Sequence, residues 1–505
     1  MDEQAQIIAT QSSESNVITP EWVKDAVFYQ IFPDRFATST RVEKPPNIEP
    51  WDALPTTHGF KGGDLLGVVD HLDYLTDLGI DALYFCPIFQ STANHRYHTH
   101  DYYQVDPLLG GNAAFQVLLH EAHQRGLRIV LDGVFNHASR GFYYFNHLLE
   151  NGATSPYLDW FLVRTFPLHA YDELGPAGYQ AWWNLKPLPK FNHVNPQVRE
   201  FLLRVAEYWV EQGIDGWRLD VPGDIDDDDF WREFRRRVKA KNSDAYIVGE
   251  IWQRADRWLV GDQFDAVMNY QFLHACASFF VEVDDDTRAL TRGHGYGALT
   301  PYDARQFAQR LEDVLAWYPG AITYAQLNLL DSHDTARFLT LAKGDASAVQ
   351  LAYFTMMTYP GAPMLYYGDE VGMAGGRDPD CRRGMIWEPA RWNHDLHTAI
   401  KKYIALRKRY QALWRQGTYA HLYAQGKVYI FARQRHEQTV IVGVNASSSA
   451  VRLDLDVHRL LPNGATVHEE WGSTQHSVIE GAVRGLTIPA RAGAVWVGER
   501  LATAG

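Results

Sequence analysis

Cysteine is scarce in this chain, and so is every feature that would direct it to a membrane or to nucleic acid. Only Cys86, Cys276 and Cys381 occur in 505 residues. An odd number at wide spacing gives neither a disulfide framework nor a zinc pattern. Cys86 lies inside an apolar run, where a thiol serves as a small buried hydrophobe. No uninterrupted apolar stretch approaches the ~20 residues of a membrane span. The opening residues, MDEQAQIIATQSSESN, are acidic and polar and lack the basic start and apolar stretch of a secretory signal. A cytoplasmic location is therefore expected. Basic residues are outnumbered, 47 Lys and Arg against 61 Asp and Glu, for a net charge of −14. That argues against nucleic acid as the partner, because phosphate binding needs clustered Lys and Arg. There is no internal repeat and no low-complexity segment. No Rossmann fingerprint or phosphate loop occurs, and the Gly59–Gly63 stretch lacks the required spacing and preceding strand, so no nucleotide cofactor is expected.

What is present is the composition of a globular protein, with 46% apolar and 21% charged residues. The length allows two or three domains around a large core. Aromatics reach 13%, including 16 Trp and 27 Tyr. Most belong in a core, and the excess also suits flat stacking partners such as sugar rings. After a leader over residues 1–21, expected to be disordered, strand and helix patterns alternate. Strands are expected at Ala26–Phe32, Ala82–Phe89, Leu127–Asp132, Ile214–Asp220, Ala245–Glu250, Phe264–Tyr270, Leu327–Asp331 and Pro363–Tyr367. Helical spacing covers Leu65–Gly79, Asn112–Gly126, Pro196–Gly213, Asp228–Asn242, Ala304–Tyr318 and Leu396–Leu413. Such alternation gives a parallel sheet, since parallel strands need crossover connections. About eight units make an α/β fold of the TIM (β/α)8 type, assigned to 22–137 and 192–415. Residues 138–191, rich in aromatics and prolines and without a period, are expected to form an inserted domain. Beyond residue 415 the pattern becomes short strands and polar turns, which predicts a C-terminal antiparallel β-sandwich over 416–505. The acidic run Asp226–Asp229 is expected to cap the helix that follows it.

Three of the expected strands deliver a carboxylate just past their C-terminal ends: Gly216-Trp-Arg-Leu-Asp220, Ile247-Val-Gly-Glu250 and Asn328-Leu-Leu-Asp-Ser-His-Asp334. In a parallel barrel those ends form one rim, where the reacting groups sit. A glycosidic bond breaks through an oxocarbenium-like state, with one carboxylate attacking the anomeric carbon while a carboxylic acid protonates the leaving oxygen. Retaining enzymes hold those two groups roughly 5–5.5 Å apart. Neighbouring strands lie about 4.8 Å apart, so the tips of the fourth and fifth strands can meet that spacing.

Asp132-Gly-Val-Phe-Asn-His137, Gly216–Asp220, Gly249-Glu-Ile-Trp252 and Ser332-His-Asp334 together resemble, in order, the four motifs of the α-amylase superfamily. The resemblance spans about residues 22 to 500. It implies that Asp220 is the nucleophile and Glu250 the general acid and then base. Asp334 would bind sugar hydroxyls and tighten in the transition state. Arg218 would keep Asp220 ionised, since a nearby cation lowers a carboxylate pKa. His137 and His333 would bind hydroxyls of the sugar being cleaved.

Tyr29–Phe36, Gly62–Leu65, Asn94–Asp101 and Gly375–Arg383 resemble the neopullulanase, cyclomaltodextrinase and maltogenic amylase branch. That likeness implies Tyr97 stacked on the cleaved sugar, Asp378 and Arg382 on the next sugar toward the non-reducing end, and Trp252 on the leaving-group side. The sequence departs from the branch in three places. Val221-Pro-Gly-Asp224 replaces the branch's Val-Ala-Asn-Glu after the nucleophile. Only a short leader precedes the first barrel strand where the branch carries a dimer-building β-sandwich, so a monomer or non-swapped oligomer with an open cleft is expected. The loop Ala37–Thr40 lacks the branch's calcium ligands, and Asp64 alone makes no site; calcium is not predicted as a cofactor. The activity implied is cleavage of α-1,4 bonds, with α-1,6 bonds as the second linkage, in cyclodextrins, maltooligosaccharides, pullulan or starch. The alternatives are a transglycosylase or glucoside isomerase on the same scaffold, or a catalytically inactive sugar-binding homologue, which the intact triad disfavours.

Overall fold

The computed structural model of the chain describes residues 7–8, 17–172 and 174–499. Eight strands close into a parallel barrel: β1 Phe28–Ile31, β2 Ala82–Phe85, β3 Arg128–Gly133, β4 Gly216–Leu219, β5 Tyr246–Gly249, β6 Ala266–Asn269, β7 Leu327–Asn328 and β8 Ala362–Tyr366. Each lies inside or beside its expected segment, shortened by a few residues at the ends. Apart from Arg128 at the start of β3, their side chains are buried because helices cover the outside and the strands' own residues fill the inside. Close approach of β4 and β5 needs a glycine: a Cβ on Gly216 would fall 2.4 Å from the Tyr246 carbonyl oxygen.

The helix signals also hold with local changes. Pro196–Gln212 starts on the Asn195 side chain and ends at Gly213 with φ 109°. Asp227, inside the acidic run, accepts from the Phe230 amide and caps Asp228–Lys241. The segment expected as one helix from Leu65 to Gly79 is two, Leu65–Val69 and Leu72–Leu78. The break is at His71, whose ring turns to bond the Gly67 carbonyl at 2.8 Å and to lie 3.7 Å from the Trp387 ring centroid. Leu396–Leu413 is likewise divided into His394–Arg409 and Gln411–Gln416.

Between β3 and the helix at Pro196, residues 138–191 hold the helix Tyr143–Asn151, several 3₁₀ turns and isolated bridges such as His137 to Lys190 and Ala181 to Pro189. The C-terminal strands run from Thr418–Gln425 to Ala492–Glu499 in one antiparallel sheet. Leu455, Val467, Val483, Ile488 and Trp496 form its own apolar cluster, apart from the barrel core. The leader corrects one expectation: Ile7–Ile8 pairs antiparallel with Tyr419 and Ala420 and extends this sheet, so those two residues are strand. The rest of residues 1–16 lies outside the described residues. Among the described residues no helix is long and apolar enough to cross a membrane.

One buried acid links β1 to the turn after β8. Glu370 accepts from the Tyr29 and Tyr74 hydroxyls at 2.8 and 2.7 Å and from the Gly368 amide at 3.0 Å. Burial raises its pKa from 4.5 to about 7, against those three donors. A raised acid pKa favours folding below the unfolded value, and that contribution fades as pH climbs through the folded one. At about 1.4 kcal/mol per unit, the stability difference between the natural chain and Glu370→Gln should change by about 3 kcal/mol from pH 4.5 to 7. Denaturant titrations at the two pH values check this; parallel pH profiles for the two chains would refute it.

Candidate active site

The strand register assembles the charged centre. Asp132 pairs with Arg218 across β3 and β4, and Leu219 pairs with Gly249 across β4 and β5. One residue further on, Asp220 and Glu250 stand at the same level on neighbouring strands, each amide continuing the ladder to Gly133 and Leu219. The Arg218 guanidinium, fully buried, lies among three carboxylates. Its Nη1 donates to Asp132 at 2.8 and 2.9 Å and to Asp220 Oδ1 at 3.2 Å, and its Nη2 is 3.0 Å from Glu250 Oε2. Tyr84 and Tyr97 hydroxyls also donate to Asp132 Oδ2, at 2.8 and 2.9 Å.

Asp334 joins them from the loop after β7. One guanidinium cannot balance three buried carboxylates, so burial pushes the pKa values of Asp220, Glu250 and Asp132 up, with Arg218 opposing. Asp334 goes the other way. Burial disfavours its charge, but His333, Arg382 and Arg218 together outweigh that and hold its pKa below the usual value. At Asp220 the Arg218 cation acts in the expected direction, lowering the pKa, and burial acts against it. Asp220 and Glu250 share a field in which a first proton is held firmly and a second is lost more readily, the condition for one acid and one base at neutral pH. The nearby histidines add no charge, because burial lowers His333 and His137 to about 3.

The polar side chains expected to hold sugar converge on the same cup. Gln30 Nε2 donates to His333 Nδ1 at 2.7 Å, which leaves the ring proton on Nε2, 3.0 Å from Asp334 Oδ2 and 2.6 Å from the Tyr97 hydroxyl. The Tyr97 and His333 rings stack at 5.5 Å. Arg382 bridges Asp334 at 3.1 Å and Asp378 at 3.0 Å, with its Nε on the His333 carbonyl. His137 Nε2 is buried and has no partner, as is Asn136 Oδ1. Unmet polar atoms in such a place suit a ligand hydroxyl. Trp252 is not a core residue. Its Nε1 donates to Glu250 Oε1 at 3.0 Å, and its ring stacks on Tyr270 at 3.7 Å.

Sequence reasoning left several contributors out. Tyr84, Gln30 and Tyr270 lie in buried, uniformly apolar surroundings, so no pattern singles them out. The Val221-Pro-Gly-Asp224 turn meets the site directly. Val221, β-branched and followed by proline, has φ +35°, a conformation that costs about 1–3 kcal/mol. It turns the Val221 amide onto Glu250 Oε2 at 3.0 Å. Asp224 then accepts from Trp182 Nε1 at 2.7 Å, and Lys190 donates to its carbonyl at 2.6 Å, tying the insert to the tip of β4. Asp64 is fully engaged by the amides of Ser39 and Gly67 and by Lys44 Nζ.

A model of the α-amylase catalytic domain matches residues 30–451, and one of the neopullulanase-like C-terminal domain matches 419–497. The chain belongs to the α-amylase family. It is 44% identical over 442 residues to a cyclomaltodextrinase of Geobacillus thermopakistaniensis, covering 87% of this chain and 71% of that one. It is 46% identical over 431 residues to neopullulanase 2 of Thermoactinomyces vulgaris, covering 85% and 70%. Among solved structures, the Nostoc punctiforme debranching enzyme superposes with a TM-score of 0.86 at 48% identity, covering 95% of this chain and 99% of that one. Within this α-amylase-family centre, the Trp252 bond favours the charged form of Glu250, so removing it should raise the acid's pKa. A hydrogen bond to a charged group is worth about one pKa unit or more. Trp252→Phe, which keeps the stack on Tyr270, should move the alkaline limb of the kcat/KM–pH profile upward; an unmoved limb would refute the coupling.

Proposed function

We propose that the chain is a retaining α-glycosidase that opens cyclodextrins and cleaves α-1,4 bonds of maltooligosaccharides, pullulan or starch. The observation that carries this is the placement of Asp220 and Glu250 level on adjacent strands, against one buried guanidinium. In this reading Asp220 attacks the anomeric carbon while Glu250 gives its proton to the leaving oxygen. A covalent glycosyl-Asp220 ester forms. Glu250, now a carboxylate, takes a proton from water, and the resulting hydroxide releases the sugar with retained configuration. Asp334, held ionised, accepts hydroxyl hydrogen bonds that shorten as the ring flattens. His137 and His333 bind hydroxyls of the same sugar and Tyr97 stacks on it. Asp378 and Arg382 hold its neighbour.

The barrel would comprise residues 22–137 and 192–415, the insert 138–191 would wall the leaving-group side, and 416–505 would buttress the barrel. The half-buried Trp252 ring on that side, backed by the buried Tyr270 and Tyr296 rings, favours transglycosylation as a secondary outcome, because its exposed part offers an acceptor sugar an apolar contact. Three unpaired, buried thiols fit a reducing, cytoplasmic setting, and we place the enzyme there as a monomer or a non-swapped oligomer.

Incubation with β-cyclodextrin, pullulan and soluble starch in parallel tests the reading. Cleavage of at least one is expected, with ring opening of the cyclodextrin fastest. Asp220→Asn should abolish it. Glu250→Gln should lose cleavage of natural glucans but retain partial activity on α-glucosyl fluoride, whose leaving group needs no proton. Equal loss on both would contradict the acid role, and no cleavage by the natural chain would overturn the assignment.

A further inference from the structure

Outside the catalytic cup, the structure contains a second cleft of about 330 Å³. It is lined by Trp51, Trp387, Met385, His71 and Thr38, with Asp52, Glu388 and Arg391 around it. Its size is at the lower end of small-molecule sites, which run about 300–1,000 Å³. Two indoles are fixed in its walls. Trp51 Nε1 donates to the Met385 carbonyl at 2.8 Å, and Trp387 Nε1 donates to the Phe36 carbonyl at 2.6 Å. Both rings are only partly buried. With their N–H groups already satisfied, they can offer carbon surface without reorganising. Arg391 Nη1 spans Asp52 at 2.7 Å and Glu388 at 3.3 Å, making an exposed carboxylate–guanidinium–carboxylate rim.

We propose that this cleft is a second binding site for α-glucan, taking one or two glucosyl units of a longer chain. A pyranose has apolar C–H faces and an equatorial belt of hydroxyls. Indole surface below and charged donors and acceptors at the mouth match both parts. The same chain segment serves both places. Met385 and Trp387 follow closely on Arg382, and Arg35 ties them by accepting from the Met385 amide at 2.8 Å and donating to the Arg382 carbonyl at 3.3 Å. The cleft thus opens beside the segment proposed to hold the non-reducing side of the substrate. The inference rests on the α-glucan reading of the catalytic site and adds a second point of attachment for polymeric substrate.

Titration of the full chain carrying Asp220→Asn with maltoheptaose should reveal two sites, and adding Trp51→Ala should leave one. In the active chain, Trp51→Ala and Arg391→Ala should each raise KM for soluble starch by about three- to tenfold, the loss of one aromatic or polar contact. kcat on starch and turnover of p-nitrophenyl α-maltoside, too short to reach the cleft, should be unchanged. Arg391 is exposed, so its variant carries the test if Trp51→Ala does not fold. A single site with unchanged KM in the variants would overturn the proposal on its own. Failure of the natural chain to cleave either substrate would overturn it together with the α-glucan reading.

Discussion

The buried guanidinium of Arg218 is the constraint on which this structure turns. Among the described residues it is the one cation in direct contact with Asp132, Asp220 and Glu250 at once. Its removal would leave like charges facing each other in a dry interior, where an uncompensated partner costs about 3–5 kcal/mol. A guanidinium suits the position because its planar fork reaches several carboxylates and stays charged. The barrel supplies what the fork needs: strands whose register sets Asp132, Arg218, Asp220 and Glu250 at matching heights. His137 Nε2 and Asn136 Oδ1 are buried without a protein hydrogen-bond partner.

Around that charge cluster the molecule divides its work. Asp132 is held by Tyr84, Tyr97 and Arg218 and has no free role in bond cleavage; it anchors the cation. Arg382 and His333 do the same for Asp334. The turn after Asp220 spends conformational strain at Val221 to aim an amide at Glu250, and the insert grips that turn through Trp182 and Lys190. Trp182 also stacks on His137 at 5.4 Å, so the insert, β3 and β4 meet in one place. Changes in the insert should therefore reach the acid–base pair through packed contacts rather than through the solvent.

Much of this was legible in the residues because parallel barrel strands are short apolar runs ending in polar tips. All eight were marked, and the carboxylates followed from their ends. Several helices were not, the longest being Tyr270–Phe280 and Ala346–Thr358. Nearly every residue of each is buried, so neither has the polar face that makes helical spacing visible. The Leu65–Gly79 pattern read as one helix because apolar spacing continues across the break; the kink is imposed by His71 against Trp387, a contact between distant residues. Four C-terminal strands were also unmarked, among them Gln475–Ile479, which is half-exposed and has weak alternation. In the site, Asp220, Glu250 and Asp334 could be read from motif order. Gln30 and Tyr84 could not, because a polar atom inside a buried strand is defined only by what sits opposite it.

Covalent trapping tests the central claim most directly. A 5-fluoro-α-glucosyl fluoride forms its ester with the nucleophile quickly and releases it slowly, so the intermediate accumulates. Digestion and mass spectrometry should find one fluoroglucosyl group on the peptide containing Asp220, and none after Asp220→Asn. An adduct on Glu250, or inactivation without any ester while the first product appears with inverted configuration, would contradict the account.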